Sequence, residues 1–336
     1  MNLHALDLTI EGLGVVSPAG WGLPHLKTAC NLGMPLPTQE LLRTSGQARS
    51  WSCSVRSVPS PPADYLPRSP RLRRASPLTK FLLGATIEAL NGHTTEGLGI
   101  IQVMQNGAVQ YSGRFFHELL TTPSTPSPLI FPETVFNAPT SHVASCIAVS
   151  GAVTTLIGED NLLIEALQTA SQWLEEGCVE RVLVLAGEEL DWLSTEAATY
   201  YNRNLVASEG AGALLLAKGR SGGPRIRFTT GLHGHTGSRR RTVIQKVADC
   251  LTEDTTSSCA LVTSESGIAR LDRAESQAWS EAKWQHFSPK VVLGHSMGAS
   301  CAIQAVLAAS LLDQYEKVVV SCPGEVASGG LIFSRL

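Results

Sequence analysis

Short apolar runs of strand length recur along this chain and alternate with segments of helical periodicity. The runs are Leu8–Val16, Gly99–Met104, Val153–Ile157, Val179–Ala186, Ala211–Ala217, Cys259–Thr263, Val291–Leu293, Val318–Ser321 and Gly330–Ser334. Such near-continuous apolar runs are typical of strands that helices cover on both faces of a sheet. Leu162–Leu174 and Ala299–Leu312 are predicted as helices between them. The alternation therefore predicts an α/β protein with a largely buried sheet.

Composition and charge exclude several other classes. No apolar run approaches the ~18–20 residues that a membrane-spanning helix needs, and the start, MNLHALDLTI, lacks the pattern of a secretory signal. The formal net charge of -3 gives no overall basic field that would favour nucleic acid. The eight cysteines form no Cys-x-x-Cys pair, so neither zinc motifs nor a disulfide framework is indicated. We expect a cytoplasmic protein with free thiols and predict neither a cofactor nor a metal site.

Two sets of alternating elements lie on either side of a divide near Gly219–Gly223. Their similar content indicates an internal duplication. We therefore predict an N-terminal half over residues 1–220 and a shortened C-terminal half over residues 221–336. Pro35–Ser76 and Lys218–Arg241, which are rich in Pro, Ser, Gly or Arg, are predicted as loops.

Three motifs resemble those of one enzyme family and occur in that family's order. Gly12–Gly20 resembles the strand and turn G-x-G-V-V-S-P-x-G that opens the β-ketoacyl synthases, and Ser208–Ala213 resembles their G-E-G-A-G strand entry. Lys290–Ala299 resembles their K-x-x-x-G-H-x-x-G-A segment, which runs into a helix. The resemblance covers nearly the whole chain. It implies an α/β, thiolase-like five-layer αβαβα sandwich of two similar halves, which dimerises through a sheet edge.

The resemblance fails at residues that carry the family's chemistry. A condensing ketosynthase resembles a Cys-His-His machine, in which a thiolate at a buried helix N-terminus holds the acyl chain and two histidines stabilise an oxyanion. Counting from Asn137, which matches an asparagine of the family, the cysteine position falls at Asp160. The first histidine position falls at Ser264. The supporting lysine and the second histidine are kept as Lys290 and His295.

Further departures suggest a narrower group. The family's C-terminal Gly-Phe-Gly-Gly gate is replaced by Cys322–Gly330. Asn137–Pro139 followed by Gly158–Asp160 resembles the ketosynthase-like chain length factors of aryl-polyene and related type II systems. This implies a subunit that pairs with an active β-ketoacyl-ACP synthase in fatty acid or polyketide (polyene) biosynthesis and meets acyl carrier protein directly or through that partner. Gln102–Phe116 and Asn137–His142 would then face the partner and limit its acyl tunnel by their bulk.

Asp160 is open to more than one interpretation. Aspartate is a good N-cap and its charge is stabilised at a helix N-terminus, so it can simply cap the predicted helix. It can instead act with Lys290 and His295 in an independent thiolase-fold acyltransferase or malonyl decarboxylase. Lys290 can also pair with Asp160 or Glu159 in a structural ion pair. Cys301, near His295, is interpreted as a buried small hydrophobe and not as a substitute nucleophile.

Overall fold

The structure is a computed structural model that describes residues 1–43, 51–219, 223–252 and 258–335. The strands are β1 (His4–Ser17), β2 (Gly20–Trp21), β3 (Gln39–Leu42), β4 (Ser52–Arg56), β5 (Leu98–Met104), β6 (Val153–Ile157), β7 (Arg181–Glu188), β8 (Ala207–Ser208), β9 (Gly210–Lys218), β10 (Pro224–Thr229), β11 (His233–Gly234), β12 (Cys259–Val262), β13 (Gln285–Phe287), β14 (Lys317–Pro323) and β15 (Ala327–Arg335). The helices are α1 (Leu23–Leu32), α2 (Pro77–Leu90), α3 (Val109–Thr121), α4 (Ala138–Cys146), α5 (Leu163–Glu175), α6 (Trp192–Tyr201), α7 (Arg240–Thr252), α8 (Ala269–Ala278), α9 (Pro289–Leu293) and α10 (Ser300–Leu311).

The main sheet is built from two halves with the same strand pattern. Within the described residues its order is β13-β12-β14-β15-β10-β1-β9-β7-β5-β6. Outwards from β1, the pairings with β9 and then β7 are antiparallel, and those with β5 and β6 are parallel. Outwards from β10, the sequence β15, β14, β12, β13 repeats the same orientations. The α/β class and the two similar halves are confirmed, while the predicted boundary between residues 220 and 221 lies outside the described residues.

The two halves of the main sheet lie between three layers of helices. Successive strand residues point to opposite faces, so Ile101 of β5 packs with the core around α5 and α10, whereas Ile100 packs with α2. In the second half, Ala260 of β12 faces the same central core and Leu261 faces α7. Every residue of α10 is buried. Helices α5 and α10 therefore form the middle of five layers, as the resemblance implied.

Two glycines allow α2 to pack directly on β1. A Cβ atom at Gly12 would lie 1.8 Å from the carbonyl oxygen of Ala89, and one at Gly14 would lie 1.9 Å from that of Ala85. The strand continues through both glycines, with a register shift between Ile10 and Gly12. Any larger residue would push the helix away from the sheet.

Some segments differ from the sequence-based prediction. Val291–Leu293 is predicted as a strand, but it ends the short helix α9, because the proline at the start of that helix favours a helical turn over the β-propensity of the two valines. Lys218–Arg241 is predicted as a loop but contains β10 and β11, and Pro35–Ser76 contains β3 and β4. In β10 the arginines alternate with Ile226 and Phe228, which is the period-two pattern of a strand. The segment is predicted as a loop because it is rich in arginine and glycine.

Candidate functional site

A strand-turn-helix unit positions Asp160. Strand β6 leads through Gly158 into a 3-10 turn over Asp160–Leu162, and α5 follows from Leu163. The N–H of Gly158 donates to the carbonyl oxygen of Met104 at 3.0 Å, which ties the turn to the end of β5. The geometry presents residue 160 just before a buried helix, where a thiolate would be stabilised. A carboxylate with an exposed fraction of only 7% stands there instead.

Asp160 forms a buried ion pair with Lys290. The Lys290 Nζ donates to the Asp160 Oδ2 at 2.7 Å, and the two side chains are 5% and 9% exposed. Burial alone would lower the pKa of Lys290, but the carboxylate offsets this effect and the net pKa is raised. Lysine is therefore a fixed cation here. The predicted pairing of Lys290 with Asp160 is confirmed.

The prediction that Asp160 caps the following helix is wrong. Helix α5 has Leu162 at its N-cap, and the N-cap side chain makes no capping hydrogen bond. The 3-10 turn places Asp160 two residues ahead of that N-cap. A cation at hydrogen-bond distance in a buried site attracts the carboxylate more strongly than a neutral N–H group does, which explains the difference.

His295 lies beside this ion pair as a neutral imidazole. Its ring Nδ1 accepts a hydrogen bond from the N–H of Met297 at 3.1 Å, which assigns the proton to Nε2. Burial, followed by the nearby Lys290 cation, lowers the pKa of His295 to about 4. The backbone is fixed as well, since its N–H donates to the carbonyl oxygen of Val206 at 2.8 Å. The structure thus brings Asp160, Lys290 and His295 together.

Ser264, which the sequence resemblance aligns with the family's first histidine, makes several hydrogen bonds within the protein. Its Oγ donates to the carbonyl oxygen of Ser321 at 3.0 Å and accepts from the Gln304 Nε2 at 3.0 Å. Its N–H donates to the Glu275 carboxylate at 3.0 Å. With these contacts made, the hydroxyl is engaged within the protein and is not directed to a substrate.

A short segment, here called the strap (residues 323–327), lies on the turn that carries Asp160. The Glu159 carboxylate accepts from the N–H of Glu325 at 2.9 Å, and the Asn161 Nδ2 donates to the carbonyl oxygen of Ala327 at 2.8 Å. A Cβ atom at Gly324 would lie 2.3 Å from a Glu159 carboxylate oxygen, so the contact is close. The strap therefore fastens the turn on both sides of Asp160.

Comparison with known proteins supports the architecture. No protein-family model and no curated protein matches the sequence. Among solved structures, the ishigamide ketosynthase/chain length factor matches with a TM-score of 0.81 and 17% identity, over 98% of this chain and 99% of that chain. The chain has the thiolase-like fold of the β-ketoacyl synthases.

Two further matches to this ketosynthase fold come from complexes. The ketosynthase ApeO in complex with its chain length factor ApeC from Xenorhabdus doucetiae matches with a TM-score of 0.76 and 14% identity, over 98% of both chains. A type II polyketide synthase acyl carrier protein with its ketosynthase bound to the hexaketide, AntDE:AntF, matches with a TM-score of 0.75 and 17% identity, over 99% and 100% of the chains. At such identities the likeness establishes the fold.

At one end of the ketosynthase fold the chain exposes an apolar surface, here called the apolar face. Its members are the exposed apolar side chains of α3, the following loop and β6: Phe116, Leu119, Leu120, Leu129, Phe131, Val135, Phe136, Val153 and Ile157. Helix α3 has no buried residue, and β6 is the last strand of the main sheet. Exposed apolar side chains on an edge strand and on neighbouring elements are typical of a protein interface. Within the stretch Gln102–Phe116, Gln102 is buried in β5 and Phe116 is exposed on α3, and its contact with a partner stays a prediction.

Buried carboxyl groups make the ketosynthase fold less stable as pH rises. Burial raises the pKa of Glu188, Glu189 and Glu275 to about 7 each, against opposing hydrogen bonds. A raised folded-state pKa contributes stability below the unfolded-state value, and this contribution is lost as pH rises through 7. The pKa of His295 is lowered in the folded state, so its effect has the opposite sign. Its contribution to stability is lost as pH falls from the ordinary pKa of histidine toward 4.

We therefore expect the free energy of unfolding, measured in urea, to fall between pH 5.5 and pH 8. Glu275→Gln should reduce that fall, because the variant lacks one of the buried carboxyl groups that titrate in this range. A stability that rises over this range would contradict the assignment.

The sequence did not reveal the residues that close this part of the ketosynthase fold. Glu159 and Asn161 bind residues of the strap that lie 166 positions away in the sequence. Gln304 binds Ser264, which lies 40 positions away. The only signal was the loss of the family's gate glycines. Within the described part of the chain, no cluster of three or more His, Cys, Asp or Glu residues is arranged for a metal ion, and no helix is long and apolar enough to span a membrane.

Proposed function

We propose that this chain is a ketosynthase-like chain length factor. It pairs with an active β-ketoacyl-ACP synthase and shapes the acyl tunnel of that partner, without forming carbon–carbon bonds itself. The observation that supports this proposal is the buried Asp160–Lys290 ion pair, at the residue that the sequence resemblance aligns with the nucleophilic cysteine of the condensing enzymes. The pathway we assign is fatty acid or polyketide biosynthesis of the polyene type, in the cytoplasm.

The site supports a silent subunit for three chemical reasons. A carboxylate is a poor acyl carrier, since an acyl anhydride hydrolyses or transfers without control. The Asp160 Oδ2 also accepts a hydrogen bond from the Lys290 ammonium, which makes the carboxylate a weaker nucleophile. An oxyanion site needs donors aimed at the developing charge. The Ser264 hydroxyl instead donates its hydrogen to the carbonyl oxygen of Ser321.

The apolar face supports a partner subunit. An edge strand with exposed Val153 and Ile157 can be covered by a second protein, and the aromatic residues Phe116, Phe131 and Phe136 add bulk beside it. Bulky side chains at such a junction would limit the length of an acyl chain that the partner's tunnel accepts. The structural relatives include a ketosynthase in complex with its chain length factor and a ketosynthase in complex with an acyl carrier protein. We extend both kinds of partner to this chain, with the carrier protein bound directly or through the synthase.

Co-expression tests the proposal. The chain is produced alone and together with a β-ketoacyl-ACP synthase from the same gene cluster, and each preparation is assayed with acyl- and malonyl-carrier protein. We expect a stable heterodimer that elongates the acyl chain, and no elongation by this chain alone. As the matched control, His295→Ala in this chain should leave the heterodimer active, whereas loss of the synthase's own cysteine should abolish activity. Elongation by the lone chain would overturn the proposal.

An independent acyltransferase or malonyl decarboxylase is the second candidate. It is favoured by one observation: the neutral His295 keeps a proton on Nε2, which can donate to an oxyanion. For this function Asp160→Ala and His295→Ala should each abolish a turnover measured on the lone chain, for example release of CO₂ from malonyl-carrier protein. The chain length factor proposal expects no such turnover to lose.

A further inference from the structure

Two cysteines that the proposed function does not use lie in contact behind the strap. Cys301 is in the first turn of α10 and Cys322 is near the end of β14, and their Sγ atoms are 3.0 Å apart. Their exposed fractions are 1% and 2%. Both are free thiols, and one donates its hydrogen to the other.

We propose that Cys301 and Cys322 are an oxidisable dithiol, which hydrogen peroxide converts into a disulfide. The bond needs the two Sγ atoms to approach from 3.0 Å to about 2.05 Å, a displacement of roughly 1 Å. The inference goes beyond the chain length factor proposal and does not depend on it.

The surroundings favour stepwise oxidation. Burial and above all the hydrogen bond to Cys301 raise the pKa of Cys322, which therefore keeps its proton. Cys301 interacts electrostatically with the Lys290 cation. Its thiolate attacks one peroxide oxygen and becomes a sulfenic acid, and hydroxide leaves. That hydroxide takes the proton of the Cys322 thiol and becomes the first water. The Cys322 sulfur then attacks the sulfenic sulfur, and the sulfenic oxygen leaves as hydroxide, which takes up the proton that Cys301 released and becomes the second water. In total two thiols and one peroxide give one disulfide and two waters.

Hydrogen peroxide is small, and only a short segment of chain separates the thiol pair from solvent. Cys322 is followed directly by Pro323 and Gly324 of the strap, which are partly exposed, and by Glu325, which is exposed. Opening of these few residues uncovers the thiol pair without unfolding of α10. Once formed, the disulfide anchors the start of the strap to the central helix and closes the chain between Cys301 and Cys322 into a loop. Closing a loop of this size stabilises the native state, with a rise in melting temperature of roughly 5 °C.

Peptide mapping of the full chain tests the inference directly. Trypsin cleavage after Lys290, Lys317 and Arg335 gives two peptides, residues 291–317 and 318–335, and each contains a single cysteine. The purified protein is treated with hydrogen peroxide, its remaining thiols are alkylated under denaturing conditions, and it is digested without reductant. We expect the two peptides as one linked species, lighter by two hydrogens than their sum, which separates on reduction. Peroxide-treated protein in which both peptides remain alkylated, or carry only sulfinic acid, would overturn the inference.

Variants separate this pair from the other thiols. Cys301→Ala and Cys322→Ala should each abolish the linked species and the peroxide-induced rise in melting temperature. Cys30→Ala is the matched control, because Cys30 is a buried thiol of the same central core, and it should leave both signals unchanged. If Cys301→Ala or Cys322→Ala still showed the same rise in melting temperature, the disulfide would not be the cause of that rise. The wild-type mapping decides the question even if a variant folds poorly.

Discussion

Replacement of Lys290 by methionine should lower the free energy of unfolding by about 3–5 kcal/mol. The change removes the cation that lies 2.7 Å from Asp160 and leaves a carboxylate in a site where its exposed fraction is only 7%. An unpaired buried charge is costly because the surrounding protein does not replace its lost hydration. Urea unfolding of the purified chain at neutral pH measures the effect.

Two comparisons show whether the loss belongs to the ion pair. In Asp160→Leu/Lys290→Met both charges are gone, so most of the lost stability should return. Lys27→Met breaks a solvent-exposed ion pair with Asp313, whose Nζ–Oδ2 distance is 3.4 Å, and should cost less than about 1 kcal/mol. A Lys290→Met protein as stable as Lys27→Met would show that the buried pair does not hold this region.

Phe116→Asp should weaken binding to a ketosynthase partner by at least about 100-fold. Phe116 is 61% exposed on α3 within the apolar face, so an aspartate there is solvated in the free chain. In the complex the same carboxylate would be desolvated against apolar side chains without a cation. The dissociation constant, measured by sedimentation or calorimetry with the purified synthase, gives the result.

The matched control for this variant is Leu32→Asp. Leu32 is 65% exposed at the end of α1, on a different element, and its replacement should leave binding unchanged. Both free variants should keep the melting temperature of the parent chain within a few degrees, because neither position is buried. If Phe116→Asp bound the synthase as tightly as the parent chain, the apolar face would not be the surface that contacts the partner.

Residues that lie close together in a motif were predictable from the sequence. Lys290 and His295 stand in one segment whose spacing is read directly, and Asp160 follows from counting along β6 and its turn. Buried strands such as β5 and β7 were also predictable, because continuous apolar runs have few alternatives.

Contacts between distant segments were not predictable. The strap binds Glu159 and Asn161 from 166 residues away, and no spacing rule connects them. Cys301 and Cys322 form no recognised motif, and only the packing of α10 on β14 brings them together. Where a local preference competed with the chain's overall path, as at α9, one proline overrode the β-propensity of its neighbours.

The two ends of the main sheet differ in a way that limits how far assembly can proceed. At one end β6 carries exposed Val153 and Ile157, while at the other β13 is only three residues long and exposes Gln285 and His286. A short polar terminus is a poor template for another strand. If a partner binds at the β6 end, as the proposed function requires, pairing through one end of the sheet gives a closed pair and not an open-ended fibre.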